Sequence, residues 1–111
     1  MKLNEYNFNL ILNGKKTAEV RLLDNKRKKV KIGDEIVFIY IEDMNQKIYV
    51  TVTDIIYTSS FKEVPIKIGF GRLGFMSHNT KEYVEYMYNF YSPQQERELG
   101  VVVLCFIKSS K

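Results

Sequence analysis

The chain has 111 residues, the size of one domain and too short for two hydrophobic cores. Hydrophobic residues at 45% and charged residues at 27% exclude a disordered chain, and no apolar stretch reaches the ~18 residues a membrane-spanning helix needs. The formal charge of +4 is unevenly placed: residues 13–31 hold eight bases against Glu19 and Asp24, a local +6, while the remainder of the chain is −2.

The opening Met1–Tyr6 lacks the apolar run of a secretory signal, and a single cysteine, Cys105, forms no internal disulfide. A cytoplasmic location is the expectation. Asn4 is placed to cap a helix carrying Phe8, Leu10, Ile11 and Leu12, with Gly14 at the position where a glycine ends it. Residues 17–23 then alternate, Ala18, Val20 and Leu22 on one face and Thr17, Glu19 and Arg21 on the other, the period of a half-buried strand. The basic stretch 24–29 reads as an exposed loop, Lys31–Asp34 as a turn, Glu35–Ile41 as an apolar strand and Lys47–Tyr57 as a long alternating one. Ser60–Val64 is expected as one helical turn stopped by Pro65, and Gly69, Gly71 and Gly74 as marks of a loop. A helix capped by Asn79 or Thr80 runs to about Phe90, with Tyr83, Val84, Met87 and Phe90 or Tyr91 on one stripe. Ser92-Pro93 ends it, Gln94–Glu98 forms a short turn, and Val101–Ile107 is a buried strand that contains Cys105. Without regular βα alternation, this α-β-β-β-α-α-β order fits a small mixed sheet or barrel with helices packed on it, an α+β domain over residues 1–111.

The most informative segment is Gly14–Arg21. Thr17, Glu19 and Arg21, at every second position, form a polar row with a spacing of roughly 6.5–7 Å, and Lys15 and Lys16 enter just before it. A guanidinium fork, a carboxylate acceptor, a hydroxyl and two ammonium groups on one short surface suit a polar ring carrying a phosphate. The same row also reads as an exposed strand face with a Glu19–Arg21 surface pair worth about 0–1 kcal/mol. The basic residues Lys26, Arg27, Lys28 and Lys29 follow closely and make a polyanion the natural partner, although a charge run of this kind also serves as a plain solvated face.

The string Gly14-x-Lys16-x-x-Glu19-x-Arg21, after an N-terminal helix and before Lys31-x-Gly33-Asp34 leading into a strand, resembles the ASCH domain family of the PUA-like superfamily. Tyr91-Ser92 and Gly100–Val103 are similar to the closing elements of that family, so the likeness covers nearly the whole chain. It implies a five- or six-stranded barrel whose cleft is lined by the motif, in a family widely proposed to bind RNA. The ligand-binding set it points to is Lys15, Lys16, Thr17, Glu19, Arg21 and Tyr91, with Lys26–Lys29 on the nucleic-acid backbone. A related branch hydrolyses acetylated cytidine with a Lys, a Thr and a Glu. Only its Lys matches here, as Lys16. Its Thr position holds Glu19, and its Glu falls near Met76. Some members are described as ribonucleases.

Three readings follow: an RNA- or nucleotide-binding module, a small hydrolase of a modified nucleoside or of RNA, and an interaction domain for an acidic protein. In the hydrolase reading Lys16 and Glu19 are the catalytic pair. A neighbouring carboxylate favours the charged ammonium, so they are expected as an ion pair that orients ligand, with Glu19 as proton acceptor. With one histidine, His78, and one distant cysteine, no metal set forms. No cofactor motif appears, since Gly69-Phe-Gly71-Arg-Leu-Gly74 lacks the strand-to-helix context of a dinucleotide fingerprint. Arg72 in that loop and Tyr86 on the following helix are secondary candidates for ligand contact.

Overall fold

The computed structural model describes residues 1–109. Five strands, β1 (Lys2–Leu3), β2 (Ala18–Leu22), β3 (Glu35–Tyr40), β4 (Lys47–Thr58) and β5 (Val101–Lys108), form one curled sheet in the order β1-β3-β4-β5-β2. β1 runs parallel to β3, and the other pairings are antiparallel. The helices are α1 (Glu5–Leu12), α2 (Val64–Ile68), α3 (Phe70–Leu73), α4 (Thr80–Met87) and α5 (Pro93–Leu99). The sheet is a half-barrel of the mixed α+β type, with β1 and β2 as its two free edges.

The continuous apolar run of β5 has a direct cause: both of its faces are buried. Val102, Leu104 and Phe106 join α1, β3 and β4 in one core, while Val101, Val103 and Cys105 join β2 and the helices α2–α4 in a second. β2 pairs with β5 so that Ala18, Val20 and Leu22 lie opposite Cys105, Val103 and Val101 and face the second core. Glu19 and Arg21 therefore project to the concave side, into the gap between the sheet's edges.

α1 starts as expected, with the Asn4 side chain accepting from the Asn7 amide at 2.9 Å, and Gly14 follows its end at φ 76°. Elsewhere four expectations are corrected. β1 was not foreseen, because two residues carry no period and the pairing to β3 is wholly tertiary. Pro65 does not stop a helix. A capping box of Ser60 and Glu63 starts a 3₁₀ turn at Phe61–Glu63, and Pro65 sits in the first turn of α2, where its missing N–H costs nothing. The glycine segment holds the short α3 between Gly69 and Gly74, both at positive φ. α4 ends at Met87, and Ser92-Pro93 begins a helix as well as following one: the Ser92 hydroxyl and Gln95 form a capping box for α5. α5 is anchored by buried Glu96, which accepts from the Phe61 amide at 2.6 Å and from the Tyr88 hydroxyl at 2.5 Å.

Candidate functional site

A half-open cleft of about 850 Å³ lies in the gap between the edges of the sheet. One wall is β1 and α1, the floor is β2, and the far wall is the segment from α3 to Tyr91. Its polar floor is a single charged array. Lys16 Nζ lies 3.0 Å from Glu19 Oε1, and Arg21 contacts Glu19 Oε2 through Nε at 2.8 Å and Nη2 at 2.7 Å. Arg21 Nη2 also donates to the Lys2 carbonyl at 3.2 Å, tying the two free edges of the sheet together. The array is out of bulk water, with Glu19 only 5% exposed and Lys16 9%.

Local structure sets each of these side chains. After Gly14 the chain folds back, and the Leu10 carbonyl accepts from both the Lys15 and Lys16 amides, which directs Lys16 inward. Asn4 Oδ1 caps α1 and also accepts from Asn7 Nδ2 at 3.1 Å, which leaves Asn7 Oδ1 to accept from Lys16 Nζ at 2.8 Å. The helix cap thus orients the lysine through one intervening amide. Gly74 closes the opposite side: a Cβ there would stand 2.9 Å from Leu10 Cδ1 and 3.1 Å from Lys16 Cβ.

Burial pushes the Glu19 carboxyl up, but the charges and hydrogen bonds of Lys16 and Arg21 outweigh it and hold it below the ordinary glutamate value. Burial likewise pulls Arg21 down, and Glu19 and Tyr91 more than restore it. Tyr91 lines the cleft beside Arg21 and is stacked on Phe61 with ring centroids 5.8 Å apart. Its phenol is raised, chiefly by burial. Tyr83, only 3% exposed, lines the cleft between β2 and α4, and burial together with the Glu19 charge pushes its phenol far up. Around the rim stand exposed apolar groups, Met76 at 86% and Phe90 at 51% among them.

Of the residues singled out in the sequence, Lys16, Glu19, Arg21 and Tyr91 meet in this cleft. Lys15 and Thr17 do not line it. Lys15 is exposed on the reversing turn, and Thr17 accepts from Arg72 Nε at 3.0 Å on the side of α3. The expected polar row is therefore split, because Thr17 precedes the first β2 residue and its backbone pairs with Arg72 and Phe106 instead. Arg72 is taken up by the same contact and faces away from the cleft. Tyr86 is half-buried at the cleft wall, its hydroxyl accepting from Asn7 Nδ2 at 3.3 Å. His78 is exposed beside the Phe70 ring. Asn7 and Tyr83 were missed. Asn7 was legible as the third helical residue after an Asn cap, but Tyr83 reads as an ordinary member of an apolar stripe.

The basic stretch is not a plain loop. Asp24 Oδ1 accepts from the Arg27 amide and Oδ2 from Arg27 Nη1, each at 2.9 Å, and residues Arg27–Lys29 form a 3₁₀ turn. Arg27 is thereby half-buried, in a hollow of about 330 Å³ that shares Arg21, Phe90 and Tyr91 with the cleft, while Lys26, Lys28 and Lys29 remain exposed.

Residues 1–109 match the family model of the ASCH domain. The chain belongs to the ASCH domain family. The crystal structure of hypothetical protein PH0355 is similar to it at 32% identity and a TM-score of 0.81, covering 98% of this chain and all of the other. Protein PF0455 from Pyrococcus furiosus, solved by NMR in solution, matches at 27% identity and a TM-score of 0.72 over the full length of both chains. Protein EF3133 from Enterococcus faecalis V583 shares the fold, at 16% identity and a TM-score of 0.61 over 90% of this chain and 64% of the other. Among curated proteins the sequence finds no match. The curled five-strand sheet is the architecture expected of a PUA-like ASCH domain. Among the described residues, no helix is long and apolar enough to cross a membrane.

Proposed function

We propose that this ASCH domain binds single-stranded RNA, seating one nucleotide in the cleft while Lys26, Lys28 and Lys29 track the neighbouring phosphates. The observation that carries this reading is the buried Lys16–Glu19–Arg21 array at the floor of an aromatic-walled cleft, next to the most basic turn of the chain. Two cations around one carboxylate leave the floor net positive, and exposed Phe90 on the rim offers a face on which a base stacks for roughly 1–3 kcal/mol. ASCH domains are generally proposed to bind RNA, which supports the same reading.

Hydrolysis finds less support in the same geometry. Among the described residues Glu19 is the single carboxylate lining the cleft, and it is held ionised by two cations, which makes it a weak base. The glutamate of the related acetylcytidine-hydrolysing branch would fall near Met76, which lines the cleft. The test is the salt dependence of oligonucleotide binding. Three to five phosphate contacts give a log–log slope of roughly −2 to −3.5, at about −0.7 per phosphate. Replacing Lys26, Lys28 and Lys29 by Ala flattens that slope by up to about 2. Parent-like slope and affinity in this triple variant remove the basic turn from the interface, and absence of RNA binding by the parent refutes the reading.

A further inference from the structure

The hollow beside the cleft holds the one member of the basic run that turns inward. Lys26, Lys28 and Lys29 are exposed, whereas the Arg27 side chain is only 16% exposed. Asp24 fixes it there, accepting from the Arg27 amide through Oδ1 and from Nη1 through Oδ2, each at 2.9 Å. The Lys28 amide closes the turn on the Asp24 carbonyl at 3.0 Å. Among the described residues the bond from Nη1 is the only one the Arg27 guanidinium makes, and it uses one of five N–H donors. Its Nε is buried with no partner, an orphaned donor of the kind that costs free energy comparable to a lost hydrogen bond. Arg21 lines the same hollow, and its contacts with Glu19 and the Lys2 carbonyl run through Nε and Nη2, so that Nη1 takes part in neither.

Asp24 is the one carboxylate lining the hollow among the described residues, and both of its oxygens accept from Arg27. Across the hollow and the adjoining cleft floor Lys16, Arg21 and Arg27 are paired with Glu19 and Asp24, three cations to two anions, which leaves one positive charge for a ligand to neutralise. The hollow and the cleft share Arg21, Phe90 and Tyr91, so an anion held in one adjoins whatever fills the other. Resting on the RNA-binding reading above, we propose that Arg27, together with Arg21, seats the phosphate of the nucleotide whose base occupies the cleft, so that the domain recognises a nucleotide and discriminates against the bare nucleoside. The residue type fits the role. In a run of three lysines and one arginine it is the arginine that folds inward, and a planar guanidinium holds phosphate oxygens in a fixed fork where an ammonium offers a point charge. A half-buried cation is also screened less by salt than the exposed lysines around it. An anion on this guanidinium compensates the charge that the unpartnered Nε leaves unmet. Asp24 is the positioning residue of the pair.

The test measures, by calorimetry, binding of the four ribonucleosides, of their 5′- and 3′-monophosphates and of a mixed-sequence six-nucleotide RNA, with the parent and with Arg27→Gln. For the base the cleft accepts, one of the two monophosphates is expected to bind the parent at least about tenfold more tightly than its nucleoside, and which of the two does so gives the direction of the strand. Arg27→Gln is expected to keep the turn, since Asp24 Oδ1 accepts from the backbone amide at that position whatever the side chain. It removes the gain from the phosphate, leaves nucleoside binding at the parent value and weakens the oligonucleotide by a similar factor. Equal affinity of the parent for nucleosides and monophosphates overturns the phosphate seat, and it does so whether or not the variant folds. A phosphate gain or an oligonucleotide affinity that survives Arg27→Gln overturns the assignment to Arg27, and in either case oligonucleotide binding by the parent leaves the RNA reading standing. A phosphate gain abolished by Arg27→Gln in a parent that binds no RNA supports the seat and refutes the RNA reading, whereas binding of none of these ligands overturns both.

Discussion

Replacing Glu19 by Gln isolates the energetic role of the buried array. The substitution keeps the shape and one carbonyl acceptor but strands two cations whose side chains are only 10% and 18% exposed, those of Lys16 and Arg21. Removing one partner of a buried pair costs about 3–5 kcal/mol because the charge left behind is uncompensated. The remaining amide oxygen places this case near 3 kcal/mol, and at about 4 °C per kcal/mol for a domain of this size the melting temperature falls by roughly 12 °C. The effect has a pH signature. The folded-state pKa of Glu19 lies below its unfolded value, so near that value the unfolded chain binds more protons and stability rises with pH. The contribution is complete above the unfolded pKa and is lost as pH falls through the folded one. Asp24 and Glu63 are also lowered, but they are present in both proteins and cancel in the difference. Denaturant unfolding of parent and variant at pH 7, 5, 4 and 3 is expected to show a gap of about 3 kcal/mol that is unchanged from pH 7 to 5 and narrows below. A gap under about 1 kcal/mol at neutral pH, or one that stays constant down to pH 3, refutes the assignment of Glu19 as the clamp between two buried cations.

Gly74→Ala is expected to destabilise by at least 1–2 kcal/mol, since a left-handed backbone alone costs roughly that much and the added methyl meets Leu10 and Lys16. The readout is chemical denaturation, together with weakened RNA binding as Lys16 is displaced. Glu96→Ala leaves the Phe61 amide and the Tyr88 hydroxyl without their acceptor and is expected to cost about 2–3 kcal/mol, with RNA affinity unchanged once the protein is folded. Thr17→Ala removes an exposed contact to Arg72 that lies outside the cleft. It is expected to cost under about 1 kcal/mol and to leave oligonucleotide affinity at the parent value, whereas a tenfold loss would place Thr17 in the interface after all.

Much of the fold was legible because its signals are local. The Asn4 cap, the alternation of residues 18–22 and the uninterrupted apolar run of β5 each declare an element from a few neighbouring side chains. The misreadings share a cause, which is punctuation that works in both directions. Proline at 65 and at 93 reads as a stop, but each occupies the first turn of a helix: Ser92 with Gln95 caps α5 directly, and Ser60 with Glu63 starts the 3₁₀ turn that leads into α2. Two-residue β1 left no such trace, because only its pairing with Ile39 and Tyr40 makes it a strand.

The site was legible only as far as side-chain period could carry it. Alternation placed Glu19 and Arg21 on one face correctly, since both lie within β2, and it failed at Thr17 because the ladder begins one residue later and the chain there is drawn toward α3. Period also gave no hint that this polar face would be buried. An exposed Glu19–Arg21 pair is the ordinary outcome for an edge strand, yet here the curl of the sheet brings β1 across from β2, and Arg21 spans to the Lys2 carbonyl. Burial changes what the same residues do. In water the pair would contribute almost nothing; enclosed, with Lys16 fixed by Asn7 and through it by the cap of α1, it becomes a rigid set of donors and acceptors. Tyr83 escapes the sequence reading for the opposite reason. Its position on an apolar stripe marks a core residue, and it is one by burial, yet it also lines the cleft. A sequence pattern reports which face a residue occupies, whereas recognition depends on which hydrogen bonds remain unmade after folding, and those emerge only when every partner has been accounted for.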